Sequence, residues 1–120
     1  MPSVCAVVPV FDHEHAIAGT VAGLRDHGLP VILVDDGSGP ACAAELDRLA
    51  SADPQVRLVR LPVNQGKGGA VMAGLATAAA AGFSHVLQID ADGQHDPSDI
   101  PQFVATALAD PRALVCGQPV

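Results

Sequence analysis

The chain lacks almost everything from which a stacking surface is made. It has no Trp, no Tyr and only three Phe, so its core has to be built from Val, Leu, Ile and Ala. Side chains of that size favour close approach of helix to sheet over an aromatic recognition face. Basic residues are scarce too. Six Lys and Arg stand against 13 Asp and Glu, a net charge of −7. A basic stripe is the footprint of nucleic-acid binding, and its absence excludes nucleic acid as a partner. An acidic chain that binds an anion needs a local remedy: a metal, a helix N-terminus or one well-placed lysine. The cysteines are Cys5, Cys42 and Cys116, odd in number and widely spaced, with no C-x-x-C. That spacing excludes a zinc site and a disulfide framework, and leaves reduced, buried thiols of a cytosolic protein. No signal-peptide pattern precedes the first strand-like run. The longest run nearly free of charge, Gly68 to Gln88, carries Thr77, Ser84 and His85 and breaks at Gly82. It reads as a helix followed by a strand, not as a membrane span.

What is present suits one globular domain. Hydrophobic residues make up 49% of 120 residues and charged residues 16%, enough to fill a core and too little charge for disorder. Apolar runs alternate with amphipathic segments. Strands are expected at Ser3 to Val10, Val31 to Val34, Val56 to Leu61, Ser84 to Ile89 and from Ala113 to Cys116. Helices are expected at Ala16 to His27, Pro40 to Ala50, Gly66 to Ala81 and Ser98 to Leu108. The strands are continuous apolar runs, the pattern of a mostly parallel sheet buried on both faces. The fold class is therefore α/β, a Rossmann-like sheet of about five strands and four helices, with helices on both faces. Val120 follows closely on the fifth strand, so residues 1–120 are expected to be the first part of a larger domain. A homo-oligomer or a partner chain completing the sheet is the alternative.

In open parallel sheets, ligands bind beyond the carboxyl ends of the strands. All four complete strands end in unusual polar sequence there. Strand one runs into Pro9-Val10-Phe11-Asp12-His13-Glu14, and Pro9 and Phe11 can wall a flat base. Strand two runs into Asp35-Asp36-Gly37-Ser38, where an acid can accept from a ribose hydroxyl or a base N–H, while Ser38 or Asp36 can cap the next helix. Strand three runs into Asn64-Gln65-Gly66-Lys67-Gly68-Gly69, which opens a helix. Its glycines let backbone N–H groups approach a phosphate, and Lys67 supplies the placed cation. The spacing is not that of a P-loop. Strand four runs into Asp90-Ala91-Asp92-Gly93-Gln94-His95-Asp96-Pro97. Asp90 and Asp92, with Gln94 as a neutral oxygen, make a donor set for a hard cation, Mg²⁺ or Mn²⁺, and His95 as a further ligand would tilt it toward Mn²⁺. Taken alone, each of these segments is an ordinary turn.

Together, and in this order, the four segments resemble the inverting family 2 glycosyltransferases of GT-A fold, most nearly the dolichyl-phosphate mannose synthase-like branch. The resemblance covers Val4 to Cys116. It implies that Pro9, Phe11 and Glu14 line the nucleoside pocket, that Asp35 or Asp36 contacts base or ribose, and that Lys67 lies near the phosphates. It implies Asp90 and Asp92 as the D-x-D pair, the second binding metal directly with help from Gln94. It further implies a UDP- or GDP-linked sugar donor, an acceptor that is lipid-linked or a glycan, and a place at the inner face of the membrane. Asp12 stands where many relatives carry Asn. No catalytic base is assigned; Asp96 is an acid near the site and nothing more. Two other readings remain at this point: a nucleotidyltransferase, and a nucleotide-binding module without catalysis.

Overall fold

The computed structural model describes residues 3–91, 100–109 and 114–116. Five strands, β1 (Val4–Val10), β2 (Val31–Asp36), β3 (Val56–Leu61), β4 (His85–Gln88) and β5 (Leu114–Cys116), form one sheet. Every pairing is parallel and the order is β3-β2-β1-β4-β5. Four helices connect them: α1 (Ile17–Asp26), α2 (Pro40–Ala52), α3 (Gly66–Ala80) and α4 (Ile100–Ala109). The expected α/β class and the expected element order are both present.

The period-two alternation of the strands divides the core. Ala6, Val8 and Val10 of β1 and Val31 and Leu33 of β2 pack with Ile17, Val21 and Leu24 of α1, Cys42 and Leu46 of α2 and Ile100 of α4. Cys5 and Val7 of β1 and Ile32 and Val34 of β2 face the other way, onto Ala70 and Ala78 of α3. Cys5 and Cys42 are buried free thiols. Burial pushes the Cys5 thiol up to about 11, against a smaller opposing pull from Arg57, so it stays protonated at neutral pH.

The shortage of large side chains matters most under α3. Ala70, Gly74 and Ala78 repeat every four residues and form its buried stripe. A Cβ on Gly74 would stand 2.4 Å from Val7 Cγ1 and 3.1 Å from Val34 Cγ2. The helix therefore rests almost directly on β1 and β2, and only glycine fits at the closest point.

The end of β2 differs from the sequence pattern in a way that bears on the site. β2 continues through Asp35 and Asp36, which pair in register with Arg60 and Leu61 of β3. The apolar run stops at Val34, but the ladder does not, because Arg60 supplies a charged partner for Asp35. The Gly68 to Gln88 run is α3 followed by β4, as expected. No helix among the described residues is long and apolar enough to cross a membrane.

Candidate nucleotide and metal site

Strand order reverses between β1 and β4: β2 and β3 lie on one side, β4 and β5 on the other. A cleft of about 310 Å³ opens at this switch point, beyond the carboxyl ends of the strands. Pro9, Val10, Phe11 and His13 line it from β1, Asp36 from β2, Asn64, Gly66 and Lys67 from the entry to α3, and Asp90 and Ala91 from the end of β4. Phe11 is 47% exposed, so this aromatic ring belongs to the cleft and not to the core.

The two acids of β2 separate because consecutive strand residues point to opposite faces. Asp35, 1% exposed, lies on the α2 side. Its Oδ2 pairs with Arg60 Nε at 2.9 Å and its Oδ1 accepts the Ser38 N–H at 2.9 Å. Arg60 also reaches Asp47 Oδ1 at 3.1 Å and the Ala43 carbonyl at 3.3 Å. That network ties β2 and β3 to α2 and uses both Asp35 oxygens away from the cleft. Asp36, 3% exposed, faces the cleft. Its Oδ1 accepts the Gln65 N–H at 2.7 Å, and its carbonyl accepts Asn64 Nδ2 at 3.0 Å. Asn64 Oδ1 in turn accepts the Gly66 N–H at 3.1 Å. Asp36 and Asn64 thereby fix where α3 begins.

The caps fall elsewhere than the sequence pattern expected. Neither Ser38 nor Asp36 caps α2, whose N-cap is Gly39 with no side-chain bond of its own. Asp12 takes that place from 27 residues away: its Oδ1 accepts the Gly39 N–H at 2.7 Å. The Asp12 N–H donates to Ser38 Oγ at 3.1 Å, and Ser38 Oγ lies 3.4 Å from the Val10 carbonyl. Asp12 has φ 57°, a left-handed conformation that Asp and Asn tolerate better than most residues. An Asn at this position would keep both the conformation and the acceptor. Gly37 completes the join. At φ 77°, a Cβ there would meet Asn64 N at 2.6 Å, so the β2 and β3 loops touch backbone to backbone.

Lys67 and Asp90 meet across the cleft. Lys67 Nζ lies 2.7 Å from Asp90 Oδ1, with side-chain exposures of 51% and 28%. Lys67 is the second residue of α3, and the Gln65 N-cap makes no side-chain capping bond. The first-turn N–H groups of a helix have no intrahelical acceptor; Asp36 and Asn64 take those of Gln65 and Gly66, and those of Lys67 and Gly68, with the Lys67 ammonium, are what this end of α3 offers an anion. Asp90 is a hard oxygen donor that has already drawn a cation to itself, chemistry that suits Mg²⁺ or Mn²⁺. No group of three or more His, Cys, Asp or Glu gathers among the described residues. Asp92, Gln94, His95 and Asp96 lie outside those residues.

Glu14 is not on the described cleft wall. Its Oε1 is buried in the turn before α1 with no hydrogen-bond partner among the described residues. His13 and Asn64 line the cleft although their sequence context assigned them no role. The Asn-x-Gly order at 64–66 was the available signal for Asn64, since Asn there can bond the backbone two residues on.

A parallel sheet whose switch-point cleft joins an acid at a strand end to a lysine at a helix start defines an α/β domain of the doubly wound type. Residues 5–120 match the model of Glycosyl transferase family 2, and the chain belongs to that family. Membership decides against the nucleotidyltransferase reading. An undecaprenyl-phosphate mannosyltransferase of Micrococcus luteus is 30% identical over 84% of this chain and 42% of its own length. An undecaprenyl-phosphate 4-deoxy-4-formamido-L-arabinose transferase of Pectobacterium carotovorum is 36% identical over 88% of this chain and 33% of its own. The chain thus spans less than half the length of these relatives. A mannosyltransferase from Pyrobaculum calidifontis, solved in complex with GDP-Man and Mn²⁺, superimposes with a TM-score of 0.71 at 25% identity over 92% of this chain and 33% of that one. The sheet and its helices accordingly belong to a GT-A fold.

Proposed function

We propose that residues 1–120 form the donor-binding portion of a glycosyltransferase that moves a sugar, with inversion, from a UDP- or GDP-linked donor to a hydroxyl or phosphate acceptor. The observation that carries this reading is the Lys67–Asp90 pair at the start of α3, at the switch point of the sheet. Pro9 and Phe11 hold the base, and Asp36 meets base or ribose through the lone pairs left beyond its bond to Gln65. Asp35 serves from behind by fixing β2, and Glu14 supports the nucleoside wall from the turn before α1. The first turn of α3 and Lys67 hold the diphosphate. Asp90, Asp92 and Gln94 would hold Mg²⁺ or Mn²⁺, which when bound acts as a Lewis acid on the leaving diphosphate. The named activities of the relatives and the GDP-Man and Mn²⁺ bound to the Pyrobaculum protein support donor and metal. The undecaprenyl-phosphate acceptors in the relatives' names favour a lipid-linked acceptor and peripheral work at the inner membrane face.

The experiment is a melting-temperature series with UDP and GDP, each with and without Mn²⁺ or Mg²⁺. A rise that needs both nucleotide and metal, and that Asp92→Ala abolishes, is the expected result. An unchanged melting temperature across all combinations contradicts the proposal.

A further inference from the structure

We infer that Lys67 is the resident counter-ion of Asp90, displaced by the divalent cation and handed to the diphosphate, so that metal and nucleotide bind as a coupled pair. The inference rests on the proposed donor-site reading.

The geometry comes first. The 2.7 Å separation of Lys67 Nζ and Asp90 Oδ1 is that of a charge-assisted hydrogen bond. The ammonium therefore sits on a carboxylate oxygen that a divalent cation would need. The two residues belong to different parts of the chain, the first turn of α3 and the segment just after β4, and both line the switch-point cleft.

The pair is cheap to open. Both side chains reach solvent, and ion pairs of that kind contribute little to stability. A dication bound to Asp90 would take away the ammonium's partner and repel it at a separation of a few ångströms. Lysine has a flexible four-carbon stem, and its Cα is fixed on the turn whose N–H groups favour an anion. A diphosphate seated there is the nearest new partner. In a chain with a net charge of −7, this arrangement gives one cation two duties. It shields Asp90 before loading and neutralises phosphate after it.

Coupling of this sort is reciprocal. Without nucleotide, Lys67 opposes metal. With nucleotide, the ammonium has somewhere to go and the opposition disappears. A neutral side chain of similar length removes both effects.

The test is a Mn²⁺ titration followed by electron paramagnetic resonance of free Mn²⁺, on the intact protein and on Lys67→Met and Lys67→Arg. Each is measured with Mn²⁺ alone, with UDP and with GDP. Lys67→Met should bind Mn²⁺ alone about 2- to 5-fold more tightly, the range an exposed ion pair allows. Its gain in Mn²⁺ affinity on adding nucleotide should be smaller than that of the intact protein by on the order of 10-fold. Lys67→Arg, which keeps the charge, should bind Mn²⁺ alone no more tightly than the intact protein. Equal Mn²⁺ affinity in Lys67→Met and the intact protein, with nucleotide binding still dependent on metal, overturns this inference and leaves the donor site standing. Absence of Mn²⁺ binding in all three proteins, with or without nucleotide, overturns both.

Discussion

The two edges of the sheet are both polar, and they use their polar groups in opposite ways. At the amino edge the groups bond to each other. Ser84 Oγ donates to the Ser3 carbonyl at 2.9 Å, and the Ser3 N–H returns to Ser84 Oγ at 2.7 Å. Arg25 Nε meets Asp53 Oδ2 at 2.8 Å and its Nη1 meets the Leu29 carbonyl at 3.1 Å. These bonds close the turns. At the carboxyl edge, Asp12, Asp36 and Asn64 bond loops to one another around an opening. Phe11, Lys67 and Asp90 then line that opening. Polarity at a strand end does not make a site. A site arises where one set of polar groups builds a frame and a second set is turned into it.

The largest effect that would sharpen this contrast is on Asp90. Asp90→Ala removes the acid that draws the cation, and affinity for nucleotide with Mn²⁺ should fall on the order of 100-fold by calorimetry, as loss of a metal-site residue does. Retained affinity would contradict the proposed metal site at the end of β4. Next comes Asp36→Ala, which strands the Gln65 N–H beside the cleft. Removing one partner of a buried hydrogen bond costs about 1–3 kcal/mol, and nucleotide binding should weaken with it, because the start of α3 shifts. Gly37→Ala belongs in the same range, about 1–3 kcal/mol, since the positive φ and the 2.6 Å approach to Asn64 N both oppose a side chain. Denaturant unfolding measures both.

Asp12 separates frame from site. Asp12→Ala should cost about 0.5–2 kcal/mol, the range for a lost N-cap, and loosen the Phe11 wall. Asp12→Asn should restore most of the stability, because the acceptor and the left-handed tolerance remain. An Asn variant as impaired as the Ala variant would show that the charge, not the bond, matters at the start of α2.

The smallest effect lies at the amino edge. The Arg25 hydrogen bond, and secondly the Gln55 N–H, hold the Asp53 carboxyl below its usual range. Its folded pKa is depressed, so the stability it contributes is present above the ordinary value of 3.8 and fades as pH falls through the lowered folded value. Arg25→Ala should lower the melting temperature slightly at neutral pH, lose the Asp53-dependent part of that difference in acid and leave nucleotide binding unchanged. A change in nucleotide affinity would break the division between the edges.

Much of this was legible in the residues. β3 matches its expected bounds of Val56 and Leu61, because Val56, Leu58, Val59 and Leu61 mark the strand and Pro62 ends it. The start of α3 at Gly66 was marked by its glycines. The end of β2 was not legible, because Asp35 stays in the ladder through Arg60 on the neighbouring strand, and a single-strand hydrophobic pattern carries no sign of a cross-strand partner. The same fact divides the two β2 acids: the motif presents them as equals, and the pleat sends only Asp36 to the cleft. The cap supplied by Asp12 was hidden for a like reason. It joins residues 27 apart that only the parallel pairing of β1 with β2 brings together. Local signals pointed to the carboxyl end of the sheet, and tertiary proximity decided which residues line the cleft there and which frame it.

The measurement that bears most directly on the account is an amide chemical-shift map recorded while Mg²⁺ with GDP or UDP is added. The account predicts shifts at Phe11, Asn64 to Gly69 and Asp90, with Ser3, Arg25, Asp53 and Ser84 unmoved. Shifts centred on the amino edge, or none at the start of α3, would contradict it.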